Sequence, residues 1–156
     1  MFSPSAPAAP PPLVRQSFEK DTQGWTAIGA SAVVRRADLP VAADSPAGSG
    51  LLFEYRIDPG TVDALTLGVE AGSWSLAQRV SFQVQAASRT TLILSVQEKQ
   101  GGRWSAVVHC SGPGWQRVRL DAGDFQLSRD AGAPVDPDER LDFGAVEHVV
   151  LVDFAV

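Results

Sequence analysis

Residues 90–110 read Thr-Thr-Leu-Ile-Leu-Ser-Val-Gln-Glu-Lys-Gln-Gly-Gly-Arg-Trp-Ser-Ala-Val-Val-His-Cys, and this stretch decides the fold. Leu92, Leu94 and Val96 recur at every second position, with Ser95 and Gln97 among the residues between and after them. Gly101-Gly102 then supplies a turn, and a second apolar-rich run follows from Trp104 to Val108. Successive side chains of a strand point to opposite faces, so a period of two buries one face and leaves the other wetter. Two such runs about a Gly-Gly turn predict an antiparallel hairpin.

The same pattern extends in both directions. Val80, Phe82 and Val84 alternate with Ser81, Gln83 and Gln85, and Leu65, Leu67 and Val69 with Thr66, Gly68 and Glu70. Val33-Val34 follows a Gly-Ala-Ser turn, and the run from Leu51 to Ile57 stops at Asp58-Pro59-Gly60, a turn signal. Trp115 to Leu120 alternates again, and Val146 to Val156 closes the chain as a long apolar strand. Short strands at roughly 10-residue spacing with Gly/Pro turns predict an all-β, antiparallel β-sandwich or barrel. No window keeps a helical period; single helical turns are expected only at Ala122 to Phe125 and Pro137 to Leu141.

The chain of 156 residues is the size of one domain, and its 44% apolar content can build a core without staples. Met1 to Pro12 holds five prolines among Ser and Ala, which reads as an extended tail or linker. The domain is expected over residues 13–156, and a linker of this kind suggests further domains in a longer chain. The net charge of −5, with scattered Lys and Arg, argues against a nucleic-acid partner, because phosphate binding needs clustered cations. Cys110 is the sole cysteine, which rules out an internal disulfide, and with two histidines it makes zinc ligation improbable. No apolar run reaches the ~20 residues of a membrane-spanning helix, so no membrane partner is expected, and no signal peptide is visible.

Catalytic motifs are missing too. No Gly-x-Ser-x-Gly elbow occurs, and no glycine-rich loop precedes a helix. His109 and Cys110 are adjacent on a strand and therefore point apart, so they cannot act as a pair; Cys110 is expected to be a buried apolar residue. Asp136, Asp138, Glu139 and Asp142 cluster in a Pro-containing connection and are read as a solvated loop. The expectation is a protein that binds rather than catalyses.

The order of these runs resembles the jelly-roll carbohydrate-binding modules of the galactose-binding domain-like superfamily over about residues 14–156. Ser17-Phe18-Glu19 followed by Gly24-Trp25 resembles the opening strand and its aromatic, and Ser45 to Tyr55 the small-residue loop and next strand. Arg79 to Ala86 resembles the strand with a Phe flanked by polar residues, and Gly114 to Leu120 with Asp124-Phe125 the Trp-led strand and its Asp-Phe. Leu141-Asp142-Phe143 and Leu151-Val152-Asp153 complete the series. The complex I intermediate-associated proteins share the arrangement, so the likeness speaks for fold more than for function.

The resemblance implies a jelly roll and a structural calcium where the first and last strands meet. The matching positions are Glu19 and Asp153, with Asp21 nearby and carbonyls of the Ser45 to Ser49 loop assisting. It also implies a concave sheet face for an oligo- or polysaccharide. On the alternation above, that face would carry Arg79, Ser81, Gln83, Ser95, Gln97, His109, Arg117 and Arg119, whose donors and acceptors suit sugar hydroxyls. Trp74 and Trp104 are the aromatics expected to be exposed on it, while Trp25 and Trp115 match core positions. A protein-interaction or assembly domain is the alternative, and an extracellular or periplasmic location follows only if the carbohydrate reading holds.

Overall fold

The computed structural model describes residues 14–39, 48–130 and 132–154, so the Pro-rich segment 1–12 and Ser45 to Ala47 of the small-residue loop lie outside the described residues. Among the described residues ten strands run in chain order: β1 Trp25–Ile28, β2 Val33–Asp38, β3 Ser49–Glu54, β4 Ala64–Gly68, β5 Arg79–Val84, β6 Thr90–Glu98, β7 Arg103–Cys110, β8 Gln116–Asp121, β9 Gln126–Leu127 and β10 Val146–Asp153. Single 3-10 turns occupy Ala122–Asp124 and Phe143–Ala145. The first lies where the sequence predicts one. The second replaces the turn expected over residues 137–141, because the Asp142 carboxylate accepts the Gly144 N–H at 2.7 Å and starts the turn there.

One layer is a six-stranded antiparallel sheet in the order β1-β4-β10-β6-β7-β9. Two further antiparallel pairs stand apart from it, β2-β3 and β5-β8, and β5-β8 packs against its inner face as the second layer. The opening strand expected at Ser17-Phe18-Glu19 is irregular; the first strand begins at Trp25, after a turn that Asp21 closes by accepting the Gln23 N–H at 2.7 Å. The strand β9 has no counterpart among the expected runs, because two residues are too few to show alternation.

The register places one residue from every strand of the large sheet in a single inward row: Trp25, Leu67, Val149, Val96, Trp104 and Leu127. The next row holds Ala27, Leu65, Leu151, Leu94 and Ala106. Against these pack Val80, Phe82 and Val84 of β5 and Val118 and Leu120 of β8. Val96 is wholly enclosed and Leu94 nearly so. Each such side chain stabilises the fold by roughly 1.5–3 kcal/mol through loss of water-exposed apolar surface. Cys110 is buried at the end of the same core, as expected.

Polar side chains close the ends of the sandwich. The buried Asp63 carboxylate accepts the Ser31 hydroxyl and, at 3.2 Å, the Arg56 N–H, so it ties together the loops on both sides of β2-β3. Gly29 runs against this carboxylate at φ +132, where a side chain would collide with it. The Ser31 hydroxyl bond holds the Asp63 carboxyl below its usual range. Leu94→Ala is expected to destabilise the protein by about 2–4 kcal/mol, read as a fall in the urea midpoint at constant slope.

Candidate functional site

A two-layer sandwich has two outward faces, and the register divides the candidate residues between them. On β5 and β8, Arg79 lies opposite Asp121, Ser81 opposite Arg119 and Gln83 opposite Arg117, all exposed and all on the side away from the core. Ser95, Gln97 and His109 belong instead to the outer face of the six-stranded sheet. The single face expected from the sequence is therefore two faces, separated by the thickness of the core. Arg79, Gln83 and Arg117 cannot share a groove with Gln97 and His109, because the strands that carry them bury their opposite sides against each other.

The tryptophans are also placed differently. Trp104 sits in the inward row of β7, is 7% exposed and donates its indole N–H to Asp136 Oδ2 at 3.1 Å. It is therefore unavailable to a ligand: Ser105 and Arg103, its neighbours, take the outward positions. Trp74 lies in the turns between β4 and β5, and its half-buried side chain packs against the core. Trp25 and Trp115 are half-buried, the first donating to Gln16 Oε1 at 2.8 Å. Trp25, Trp74 and Trp104 belong to the core or pack against it, while the half-buried Trp115, immediately before β8, does not join that cluster.

The outer face of the large sheet is built in rows. One row reads Thr26, Thr66, Val150, Ser95, Ser105 and Gln126 across all six strands. The next reads Ile28, Ala64, Val152, Ile93 and Val107. A third holds Gly68, His148, Gln97 and Arg103. A hydroxyl row thus runs beside an aliphatic row across the strands. At a strand spacing of ~4.8 Å, six strands make a surface about 24 Å long. Ser95 and Ser105 hydroxyls share a bond of 2.8 Å, and Thr66 donates to the Val149 carbonyl at 3.2 Å. Gln97 turns its amide toward the hairpin, donating to the carbonyls of Glu98 and Gly101 at 3.1 and 3.2 Å, and His109 Nδ1 lies 3.2 Å from the Thr91 hydroxyl.

Beside β7 and β9 lies a half-open groove of about 400 Å³. Ile93, Val107, Leu120 and Leu127 give it an apolar lining, and Ser105, Asp124, Gln126 and Ser128 bring two hydroxyls, an amide and a carboxylate to it. The groove exists because β9 pairs only with Trp104 and Ser105, which leaves the rest of the β7 edge uncovered and lets Leu120 show between the layers. Asp124 is held by the preceding turn, accepting the Asp121 N–H at 2.7 Å. Apolar walls with a few convergent polar groups are the usual form of a small-ligand site. Asp124 and Gln126 were not expected at a site. The chance to find them lay in the Asp-Phe-Gln phrase after the Trp-led strand, but pairing of so short a strand leaves no sequence signal.

A buried polar cluster positions the groove wall. Glu98, Trp104 and Asp136 are all under 9% exposed, which corrects the reading of Asp136 as part of a solvated loop. Glu98 Oε1 accepts the Asp142 N–H at 2.6 Å, and Asp136 Oδ1 accepts the N–H groups of Asp138 and Glu139, each at 3.2 Å. Burial pushes the Glu98 carboxyl up, opposed by the Asp142 N–H and reinforced by the neighbouring Asp136 charge. Burial also opposes the Asp136 charge, but the Asp138 N–H and the Trp104 indole outweigh it and hold that carboxyl below its usual range. The two carboxyls thus shift in opposite directions, Glu98 upward and Asp136 downward. Gly101 and Gly102 lie so close to these acids that a side chain at Gly101 would strike the Glu98 carboxylate.

The acids matched to calcium are spread out. Asp153 Oδ2 accepts the Tyr55 hydroxyl and Oδ1 the Thr90 hydroxyl at 2.6 Å. Burial raises the Tyr55 pKa, and the bond to Asp153 raises it further. Asp21 closes its turn, and the Glu19 carbonyl accepts Arg36 Nε at 3.0 Å. Among the described residues no group of three or more His, Cys, Asp or Glu side chains is placed to hold a metal ion.

No protein-family profile matches the sequence, and no curated protein matches it. Among solved structures, the chain is similar to the family 11 carbohydrate-binding module from Clostridium thermocellum in complex with a β-1,3-1,4-mixed-linked tetrasaccharide. The identity is 16%, with 89% of this chain and 84% of that chain covered at a TM-score of 0.70. It is also similar to the family 11 module of a cellulosomal cellulase of Clostridium thermocellum, at 15% identity and a TM-score of 0.62, covering 83% and 78% of the two chains. These likenesses establish the fold as the jelly-roll β-sandwich of such modules.

The buried acid pair makes a testable demand on stability. A raised Glu98 pKa contributes stability that is present at low pH and lost as pH rises through the folded value; a lowered Asp136 pKa contributes stability that is lost as pH falls. Glu98→Gln keeps an acceptor for the Asp142 N–H and cannot ionise, so its unfolding free energy should lose the part of the decline that sets in as pH rises above the ordinary carboxylate range. Glu98→Ala leaves the Asp142 N–H without its partner and should cost about 1–3 kcal/mol. Urea titrations at pH 5, 7 and 9 compare the three chains.

Proposed function

We propose that this chain is a noncatalytic carbohydrate-binding module that takes a neutral oligo- or polysaccharide across the outer face of its six-stranded sheet. The observation that supports the reading is the groove beside β7 and β9, where Asp124, Gln126, Ser105 and Ser128 stand around an aliphatic lining. Sugar hydroxyls both donate and accept, so a carboxylate, an amide and two hydroxyls match them in number and kind. The aliphatic row provides apolar cover for the C–H faces of pyranose rings. The similar family 11 module was solved with a mixed-linked tetrasaccharide, which makes mixed-linkage β-glucan the first ligand to try.

Without an exposed tryptophan, binding at this face is weak, on the order of 1 mM to 1 μM, or about −4 to −8 kcal/mol. Gln126→Ala removes one neutral hydrogen-bonding group and should weaken glucan binding about 3- to 10-fold, measured by isothermal titration calorimetry. Val107→Arg fills the groove floor and should abolish the heat signal at unchanged Tm. Equal affinity for all three chains would exclude this groove as the site. Calcium is tested separately: if Glu19 and Asp153 share one ion, millimolar calcium raises Tm and Asp153→Asn loses that rise.

A second reading, a protein-interaction domain, is favoured by the aliphatic row itself. Ile28 and Val107 at its two ends are 57% and 55% exposed, and a protein partner could cover the row. A chain that ignores a panel of neutral glycans but forms a complex sensitive to Ile28→Ser and Val107→Ser would support it.

A further inference from the structure

We propose that the opposite face, the outer side of β5-β8, is a second and separate binding surface, for the carboxylate groups of an acidic polysaccharide. It goes beyond the neutral-glycan reading and does not depend on it, because the two surfaces lie on opposite sides of the core. The face carries three arginines and one aspartate in a chain whose net charge is −5. Arg79 is engaged with Asp121 through two bonds of 2.7 and 3.2 Å. Arg117 and Arg119 make no ion pair among the described residues, and the residues directly across from them, Gln83 and Ser81, are neutral.

Arg117 and Arg119 lie two residues apart on one strand, so they project from the same side at a spacing of roughly 6.8 Å. Each guanidinium can clasp a carboxylate through two parallel N–H bonds. Gln83 and Ser81 stand beside them as donors and acceptors for hydroxyls. A sugar acid presents a carboxylate and hydroxyls on every ring, which is the mixture this surface matches.

The same residues argue against a protein occupant. No apolar side chain occupies the outward positions of β5 or β8: they are Arg79, Ser81 and Gln83, and Arg117, Arg119 and Asp121. A protein interface needs an apolar or aromatic centre that can be dried, with a polar rim around it. From the Arg79–Asp121 pair to the Gln83–Arg117 pair the face has the rim alone, which suits a hydrated, charged polymer; the half-buried Trp115 lies beyond it, before β8.

The test is affinity electrophoresis of the full chain through gels containing polygalacturonate, neutral mixed-linkage β-glucan or poly-glutamate. Retardation by polygalacturonate is expected, weakening at least 5-fold between 50 and 500 mM NaCl because exposed charges are screened. The double variant Arg117→Gln, Arg119→Gln should bind polygalacturonate at least 10-fold more weakly while its migration in β-glucan stays that of the parent. Val107→Arg should show the converse pattern, so failure of either surface is read independently of the other. Both side chains are exposed, and an unchanged Tm confirms that the double variant is folded. Equal retardation of parent and double variant, or poly-glutamate binding as tight as polygalacturonate, would overturn the proposal.

Discussion

The inward row from Trp25 through Leu67, Val149, Val96 and Trp104 to Leu127 is the constraint on which the rest of this protein depends. It joins all six strands of the large sheet in one plane of contact and presents them to Phe82 and Val118 across the core. Once those faces are committed inward, the other faces have no choice of direction. The hydroxyl and aliphatic rows of the large sheet go to one side of the molecule and the arginines of β5 and β8 to the other.

The groove wall depends on that row in a second way. Trp104 fills the core with its ring and uses its indole N–H to hold Asp136. Glu98, at the end of β6, holds the backbone of Asp142. Arg103, on the outward side of the same hairpin, donates to Asp130 and lies 3.5 Å from the Ser128 hydroxyl. The long connection after β9 is thus fastened at several points to one hairpin, which keeps the short strand β9, and Gln126 and Ser128 with it, beside the open edge of β7. A buried pair of acids is an expensive way to fasten a loop unless its bonds are complete. Here the Asp142 N–H serves Glu98, and the N–H groups of Asp138 and Glu139 with the Trp104 indole serve Asp136.

With Trp25, Trp74 and Trp104 used for packing, the groove beside β7 and β9 has no aromatic platform. Aliphatic side chains give apolar cover in proportion to area, but not the added contribution of a ring face.

Alternation by itself determined the strands, the hairpin at Gly101-Gly102 and the side of each strand that faces inward, because a period of two is a property of the extended backbone. It told that Phe82, Leu94 and Val118 would be buried and that Gln83, Gln97 and Arg117 would point outward. What it left open was which outward residues share a surface, since that depends on how strands far apart in the chain are paired and stacked. Stacking β5-β8 upon β6-β7 put Arg117 and Gln97 on opposite sides of the molecule. Likewise Trp104 and Asp136, 32 positions apart, meet only because a loop folds back on its hairpin, and so an expected platform became a buried anchor and an expected solvated acid its partner.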